Sequence, residues 1–309
     1  MNRRQFLASS LASSIALPAG LRAASRGADP NAFPFRISLA QWSLHRAHYG
    51  TTQPQLPPIE FPATAKAFGI DGVDYVNTFY RDKLSDDAYW RDLKRRCDGL
   101  GVRSLLIMCD GEGDLGAPET LRREEAVANH MRWVDRAALL GCHSIRVNAG
   151  SAGTREEQRD RVADGLRRLC EAAAPARISV IVENHGGWSS HGAWLRSVIE
   201  QVDHPGCGTL PDFGNFTIAK GQVYDRYLGT RELMPFAKSV SAKSYDFDND
   251  GNETTIDYAR MLRIVVENGY DGWVGIEYEG GRLSEPDGIR ATLRLLRRVG
   301  KQIAEERAK

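Results

Sequence analysis

A short pattern recurs along the chain: a helical stretch ends at a glycine, and a run of strand-forming residues follows within a few positions. The glycines are Gly69, Gly101, Gly141 and Gly269, and the first and last copies share the sequence G-[IY]-D-G. Glycine suits a helix end because the next residue commonly turns left-handed, which strains any residue with a Cβ atom. Helices and strands that alternate in this way predict an α/β protein with a parallel sheet.

The chain of 309 residues contains eight candidate strands, and most of the stretches between them read as amphipathic helices, most clearly 121–140 and 156–172. Eight such units fit a closed (β/α)8 barrel of about 250 residues better than an open doubly wound sheet. No G-x-G-x-x-G motif follows the first strand, which argues against a dinucleotide-binding fold. We therefore predict a single TIM barrel over residues 31–309. The candidate strands are 36–41, 72–76, 102–109, 144–148, 178–183, 208–212, 239–244 and 273–278.

Residues 1–30 have the layout of a signal peptide rather than of a folded segment. Arg3 and Arg4 precede a mild apolar run at 8–17 and alanine-rich sequence at 23–24. A positive end, a short apolar middle and small residues are typical of export signals, and the paired arginines resemble a twin-arginine signal. The run is too short to span a membrane. We expect export to the periplasm, with membrane contact only through the export machinery.

Charge and cysteine content exclude some classes of function. The formal net charge is +1, and no basic stripe is evident, so a nucleic-acid partner is not expected. The five cysteines form no C-x-x-C pair or other metal-ligand spacing. We interpret them as small buried hydrophobic residues.

Three apolar strands finish in a carboxylate, at Glu183, Asp212 and Glu277. A buried charge in such a place is costly unless it is paired or binds a cation. The carboxyl ends of barrel strands surround one mouth, so these acids can converge. All-oxygen ligand sets suit Mg²⁺ or Mn²⁺. One such acid is explained equally well by a structural ion pair, but three on these strands predict a metal site.

The segments around these acids resemble the xylose isomerase-like superfamily of sugar isomerases and epimerases, which includes ketose 3-epimerases and, more distantly, endonuclease IV. They read V-E-N-H-G at 182–186, L-P-D-F-G-N at 210–215 and G-I-E-Y-E-G at 275–280. The resemblance extends from Phe35 to the C-terminal helix. It implies a xylose isomerase-like TIM barrel in which Glu183, Asp212 and Glu277 hold a divalent metal and both glutamates move a substrate proton. The endonuclease activity is not expected, because the seven histidines are not clustered for a multi-zinc site.

The chain departs from this family at two positions. The family usually has a fourth metal ligand, His or sometimes Gln, on the seventh strand, where this chain has Ser241, a weak ligand. Strand alternation puts Lys243 on the same inward face, so Lys243 is expected to supply a positive charge and to act in catalysis. Asn215 replaces a substrate-binding His of ketose epimerases. Both changes argue against an ordinary ketose epimerase and leave the metal triad intact.

Further residues at strand ends are candidates for the same site. His185 lies two positions after Glu183 and is expected to act as a general acid/base or late ligand, although a purely hydrogen-bonded histidine fits equally well. Substrate binding is predicted for a polar and aromatic set, with capping, loop or core roles as the alternative. The members of that set are Gln41, Trp42, Asn148, Trp188, Asn215 and Glu279.

The expected function is a divalent-metal-dependent sugar isomerase or epimerase that removes a proton next to the carbonyl of a non-phosphorylated sugar or keto-sugar. Mn²⁺ is the expected ion, with Mg²⁺, Co²⁺ or Zn²⁺ as alternatives. A lyase that acts on 3-keto-glycosides by β-elimination is the first alternative, and an export signal favours it. The second is a carbohydrate-binding barrel that has lost catalysis, as the missing strand-seven histidine suggests. Assembly into a homo-oligomer stays open.

Overall fold

The computed structural model of the chain describes residues 33–309, and its main feature is a curled sheet of eight parallel strands. The strands of the described part are β1 Arg36–Ala40, β2 Gly72–Val76, β3 Arg103–Met108, β4 Ser144–Val147, β5 Ser179–Glu183, β6 Cys207–Leu210, β7 Thr217–Ala219, β8 Gln222–Val223, β9 Val240–Ser244 and β10 Trp273–Tyr278. The order in the sheet is β6-β5-β4-β3-β2-β1-β10-β9, and β7 and β8 form a separate hairpin. The seventh and eighth barrel strands are therefore β9 and β10.

The sheet closes between β6 and β9 through isolated bridges rather than a continuous ladder. The bridges join Thr209 to Ala237 and Asp212 to Ser241. Ser241 N donates to Pro211 O over 2.9 Å, and Phe213 N donates to Ser241 O over 3.1 Å. These bonds complete a (β/α)8 barrel, as predicted.

Helices follow the barrel strands and cover the outside of the sheet. The α-helices are α1 His45–His48, α2 Phe61–Ala67, α3 Asp87–Leu100, α4 Thr120–Leu140, α5 Arg155–Ala173, α6 Gly192–Val202, α7 Arg226–Leu233, α8 Tyr258–Glu267 and α9 Glu285–Arg307. Short 3-10 helices occupy Gln41–Leu44, Pro58–Glu60, Asn77–Lys83, Ala174–Ala176, Gly187–Ser190 and Met234–Phe236. No helix of residues 33–309 is long and apolar enough to cross a membrane.

The predicted strand order and most strand bounds are confirmed. β2 and β10 match to the residue, whereas β6 ends at Leu210, two residues before Asp212. Gly69, Gly101, Gly141 and Gly269 all have positive φ angles between 64° and 79°. This left-handed backbone ends the helix and turns the chain toward the next strand. The predicted signal peptide, residues 1–30, lies outside the described residues.

The core has an outer layer between sheet and helices and a small apolar cluster inside the barrel. The inner cluster consists of Ala40, Val76, Leu106, Met108, Ile181 and Leu210. The five cysteines are all buried and free, in agreement with their interpretation as small hydrophobic residues.

A polar pair also lies inside the barrel. Ser38 Oγ donates to Asp74 Oδ2 over 2.9 Å, and a Cβ atom at Gly275 would lie only 2.6 Å from the same oxygen. The absence of a side chain at Gly275 therefore makes room for the Asp74 carboxyl, two residues before Glu277 on β10. Burial raises the pKa of Asp74 to about 7, and the nearby Glu277 carboxylate adds to the rise, while the Ser38 bond opposes it.

Candidate active site

The three strand-end acids lie together at one mouth of the barrel. Glu183 ends β5, Glu277 lies on β10, and Asp212 follows β6 by two residues. All three are buried, and one carboxylate oxygen from each lies within 4.8 Å of the others. The distance is short enough for one ion to contact all three.

Asn184 brings Asp212 into this position although Asp212 is outside the strand. Its Nδ2 donates to Asp212 O over 3.0 Å, and its Oδ1 accepts from Asp212 N over 2.8 Å. The Asp212 carboxylate is held in turn, because Oδ1 accepts hydrogen bonds from Gly214 N (2.7 Å) and Asn215 N (2.8 Å). The turn after β6 therefore fixes one carboxylate by its own backbone.

The Ser241 hydroxyl bridges two of the acids. Its Oγ lies 2.7 Å from Asp212 Oδ2 and 2.6 Å from Glu277 Oε2. A hydroxyl carries a single proton, so it can donate to only one of these carboxylates at a time. Ser241 thus stands where the family resemblance places a fourth ligand, and it connects two of the candidate ligands directly.

Lys243 adds a buried positive charge on the same side. Its Nζ lies 2.9 Å from Glu277 Oε1, 3.1 Å from Glu279 Oε1 and 3.8 Å from Asp212 Oδ2. The prediction that Ser241 and Lys243 face inward together is confirmed. Burial opposes the charge on Lys243, but these carboxylates raise its pKa well above the ordinary value, so the ammonium stays charged.

Arg146 on β4 provides a second buried cation on the opposite side of the acids. Its Nε lies 2.8 Å from Glu183 Oε2, yet neither atom forms a hydrogen bond within the described part of the chain. The short contact is thus an ion pair whose N–H points away from the carboxylate oxygen. Nη1 donates to Asp110 Oδ1 over 2.7 Å. Burial disfavours the Arg146 charge, but Asp110 and Glu183 raise its pKa overall.

The three acids differ in their electrostatic surroundings. Burial raises the pKa of Glu183 to about 8; the Arg146 charge opposes the rise, and the charges of Glu277 and Asp212 add to it. Burial also raises the pKa of Asp212 to about 6. Burial alone would raise that of Glu277, but Lys243 and hydrogen bonds from Ser241 lower it. Without a bound cation, Glu277 is thus the most readily ionised of the three.

The donor set fits a divalent cation. Three carboxylates offer only oxygen atoms, the ligands that hard divalent ions prefer. Glu183 Oε2 is buried and has no hydrogen-bond donor among residues 33–309, and an unsatisfied buried acceptor is costly. A cation between Glu183, Asp212 and Glu277 would offset the mutual repulsion of the acids and stabilise the Glu183 carboxylate as a whole. The triad can therefore hold a divalent metal ion.

Most of the other predicted residues surround the acids. Asn215 Nδ2 donates to Glu183 Oε1 over 3.0 Å, and Trp42 Nε1 donates to Glu279 Oε1 over 2.6 Å. Asn148 is half-buried beside Arg146, and its Nδ2 donates to Asp110 Oδ1 over 2.8 Å. These contacts place them at the site, while their roles toward a substrate remain predictions.

His185 follows β5 and is exposed. Desolvation by the surrounding protein lowers its pKa, and the Arg146 and Lys243 charges lower it further, whereas Asp110 and Glu277 oppose the shift. His185 is therefore expected to be neutral near neutral pH.

The structure gives Gln41 and Trp188 other surroundings. Gln41 is fully buried, and its amide bonds to Val76 N (3.0 Å) and Tyr80 Oη (3.0 Å). It fastens β1 to the end of β2, which fits the capping alternative, and substrate binding by Gln41 stays a prediction. Trp188 lies under the Arg155 guanidinium, 5.0 Å from the ring centroid, and not among the contacts of the acids.

Sequence reasoning missed Arg146, Asp110 and the tie through Asn184. A signal for Arg146 was present, because it is a charged residue between Ile145 and Val147 in a buried strand and alternates inward with Asn148. Asp110, two residues after the preceding strand β3, had no such signal.

Comparisons with known proteins agree with this geometry. A family model described as xylose isomerase-like TIM barrel matches residues 62–299. The 3'-dehydrocarminate deglycosidase alpha subunit of a Microbacterium species is 31% identical over 316 residues, covering 77% of this chain and 87% of that protein.

Solved structures with similar folds show much lower identity. The 3-keto-D-glucoside 4-epimerase of E. coli has a TM-score of 0.64 at 18% identity, covering 85% of this chain and 99% of that chain. A xylose isomerase-like protein from Mycobacterium smegmatis, in complex with magnesium, has a TM-score of 0.64 at 17% identity, covering 87% and 98%. These two structures support the fold alone. The family match over most of the chain, together with the relative at 31% identity, shows that the chain belongs to the xylose isomerase-like TIM barrel family.

Proposed function

We propose that the protein is a metal-dependent enzyme that removes a proton next to the carbonyl group of a keto-sugar. The observation that carries this proposal is the convergence of Glu183, Asp212 and Glu277 within 4.8 Å, with a buried cation on each side. Bases and positive charges at one barrel mouth are what carbanion chemistry next to a carbonyl requires, because the base takes the proton and the charges stabilise the resulting oxyanion.

Glu183 is the proposed base. Five of the six carboxylate oxygens of the triad lie within hydrogen-bond distance of a donor in Ser241, Lys243, Asn215 or the backbone, and the single Ser241 proton serves two of them in turn. The sixth, Glu183 Oε2, accepts none among residues 33–309. This oxygen is therefore free to take a substrate proton without first losing a hydrogen bond.

Lys243 and Glu277 act together on the other side of the barrel mouth. Lys243 holds Glu277 through a 2.9 Å hydrogen bond and places positive charge where negative charge develops on the substrate oxygens. His185, exposed just after β5, is our candidate for a second group that exchanges protons with the substrate.

Glu183, Asp212 and Glu277 would hold the metal, with Ser241 beside it. A divalent ion there supplies a Lewis acid for the substrate oxygens. We propose Mn²⁺, and the all-oxygen donor set is equally compatible with Mg²⁺.

Elimination of the aglycone from a keto-glycoside is the reaction that the deglycosidase relative supports. The relative at 31% identity is named a deglycosidase of a 3'-dehydro compound, that is, a keto-glycoside. In a 3-keto-glucoside, proton loss from C2 forms a C1=C2 double bond as the bond from C1 to the aglycone breaks and the aglycone takes up a proton. The same base beside C4 would instead cause epimerisation there. Epimerisation is therefore the second candidate, because Glu183 and Glu277 can approach a substrate from different sides.

The test is a solvent-exchange experiment with the Mn²⁺-loaded protein. Methyl 3-keto-β-D-glucoside is followed in D₂O by proton NMR, and release of p-nitrophenol is followed from p-nitrophenyl 3-keto-β-D-glucoside. We expect deuterium to enter next to the ketone, with phenol release if the lyase proposal is right and a C4 epimer if it is not. Tight binding of both sugars without any exchange would favour a non-catalytic binding barrel and overturn the proposal.

A variant pair makes this test specific for Glu183. Glu183→Gln should slow the exchange about 10²- to 10⁴-fold, the usual contribution of a general base. The matched control is Glu232→Gln on α7, where the carboxylate only accepts bonds from the Tyr224 hydroxyl. The control should exchange at the wild-type rate.

We also propose that residues 1–30 direct twin-arginine export. The paired Arg3 and Arg4 ahead of a short apolar run support it. Fusing these residues to a reporter that is active only after export tests the proposal. Arg3→Lys together with Arg4→Lys should abolish export, and retained export would contradict the twin-arginine route.

A further inference from the structure

We infer that Arg146 is a substrate-anchoring residue, whose guanidinium donates to an oxygen of the bound sugar beside Glu183. The inference rests on the proposed function, since it places the sugar at the same acids. It starts from the position of Arg146 on the inner face of β4, with its Nε 2.8 Å from Glu183 Oε2.

The guanidinium is held by two neighbours that leave one edge unused. Asp110 Oδ1 accepts from Arg146 Nη1 over 2.7 Å and from Asn148 Nδ2 over 2.8 Å. Asn148 Oδ1 accepts from the same Nη1 over 3.3 Å. All these bonds use Nη1, so the head group is fixed from one side only.

Asp110 is itself fixed, so this arrangement is rigid. Its backbone N donates to Asn77 Oδ1 over 2.9 Å, and its backbone O accepts from Asn77 Nδ2 over 3.1 Å and from Arg81 Nη2 over 2.7 Å. Burial opposes ionisation, but Arg146 and Asn148 lower the pKa of Asp110 to about 2. The Asp110 carboxylate thus stays charged near neutral pH and holds the Arg146 guanidinium in place.

The other edge of Arg146 has donors to spare. A guanidinium has five N–H groups in a planar fork. Among residues 33–309, Nη2 has no acceptor and Nε forms no hydrogen bond. Nε–H and one Nη2–H form the parallel pair that suits two neighbouring oxygens. A ketone oxygen and an adjacent hydroxyl of a keto-sugar present such a pair.

The unused donors distinguish this inference from simple charge balance. An arginine that only neutralised Glu183 would be expected to point its N–H at the carboxylate, because buried donors without partners are costly. Here the charges are adjacent but the hydrogen bond is not made. A sugar oxygen at this edge would satisfy the donors and bring its neighbouring carbon to the free oxygen of Glu183.

The experiment measures sugar binding separately from turnover. Calorimetry gives the Kd of methyl 3-keto-β-D-glucoside and of methyl β-D-glucoside for the Mn²⁺-loaded wild type, Arg146→Gln and Arg146→Lys. We expect Arg146→Gln to weaken binding of the keto-sugar about ten- to a hundredfold, as for loss of a charged hydrogen bond. Arg146→Lys keeps the charge but loses the planar pair of N–H donors, so its Kd should lie between those of Arg146→Gln and the wild type. Binding without solvent exchange would refute the proposed function and leave this inference standing.

Controls separate anchoring from folding. Arg123 is a buried arginine remote from the acids, bonded to Asp164 (2.9 Å) and to Ala117 O (2.7 Å), and Arg123→Lys should bind as the wild type does. If Arg146→Gln does not fold, Asp110→Asn loosens the guanidinium, since Asp110 Oδ1 is its 2.7 Å acceptor, and should weaken binding in the same direction.

Two results would overturn the inference. One is an Arg146→Gln variant with wild-type circular dichroism, metal content and Kd, in which only kcat falls. Arg146 would then contribute only its positive charge to the reaction and would not hold the sugar. The other is a wild type that binds neither sugar, since Arg146 would have no sugar oxygen to hold.

Discussion

Lys243 Nζ lies 2.9 Å from Glu277 Oε1, and both side chains are almost completely withdrawn from water, with 2% and 5% of their surfaces exposed. Two opposite charges buried in contact depend on each other, because either one left alone would keep its full desolvation cost. This pair occupies the side of the mouth where related enzymes are expected to have an imidazole.

Removing the cation of this pair should destabilise the protein strongly. For Lys243→Met we expect the free energy of unfolding to fall by about 3–5 kcal/mol, the usual result of breaking a buried ion pair from one side. Urea denaturation of the metal-free protein measures it. Lys238→Met is the matched control, because the Lys238 ammonium donates to Pro205 O, a backbone acceptor, and not to a buried carboxylate. Equal losses in both variants would mean that the buried pair contributes nothing special.

Ser241→Ala should destabilise the metal-free protein more than the metal-loaded one. Without the hydroxyl, Asp212 and Glu277 lose a shared donor at 2.7 and 2.6 Å, which should cost about 1–3 kcal/mol. A cation would replace that link. Urea denaturation with and without Mn²⁺ checks the difference. The control is Ser43→Ala, which loses a buried bond to Ile276 O (3.0 Å), and its cost should not depend on Mn²⁺.

Chelation should remove both solvent exchange and part of the stability. A ligand that binds only the folded state at a hundred times its Kd adds about 2.7 kcal/mol, so Mn²⁺ should raise Tm measurably. Elemental analysis should find a single ion per chain in the wild type and none in Asp212→Asn. Full exchange activity after exhaustive chelation, with no metal in the protein, would contradict the metal site.

Asp74→Asn should stabilise the protein more at high pH than at low pH. The folded-state pKa of Asp74 is raised to about 7, whereas the unfolded pKa is near 3.9. Between these values the folded state holds a proton that the unfolded state releases, so wild-type stability falls as pH rises through this window. The Asn variant cannot lose this proton, so its stability lacks this dependence on pH.

The free energy of unfolding of Asp74→Asn, relative to that of the wild type, should therefore rise by about 2–3 kcal/mol from pH 5 to pH 8. Urea denaturation at both values measures it, with both proteins metal-free so that Glu277 is in the same state. An equal difference at the two pH values would show that Asp74 titrates normally.

Much of the fold could be predicted because its signals are local. A glycine with positive φ follows the ends of α2, α3, α4 and α8, and the short apolar runs predict β2 and β10 to the residue. Glu183 and Glu277 could be found because alternation within a strand fixes which face a side chain occupies.

The rest of the site depends on contacts between distant segments. Asp212 reaches the acids from beyond its strand because Asn184, just after β5, holds its backbone. Gln41 stands at a strand end like Glu183, but Tyr80 and Val76 bury its amide. No local pattern distinguishes these two outcomes, because the partners lie more than 25 residues away along the chain.

The way the barrel closes has a consequence for its dynamics. The seam between β6 and β9 has only a few cross-strand hydrogen bonds, among them Ser241 N to Pro211 O, so it should be the first place where the ring opens. Asp212 lies on the β6 side of this seam, and Ser241 lies on the β9 side. An ion shared by Asp212 and Glu277 would connect the two sides, so occupancy of the site should slow amide exchange at Ser241 and Phe213 more than elsewhere in the barrel. Metal binding would then stabilise the closed form of the barrel directly.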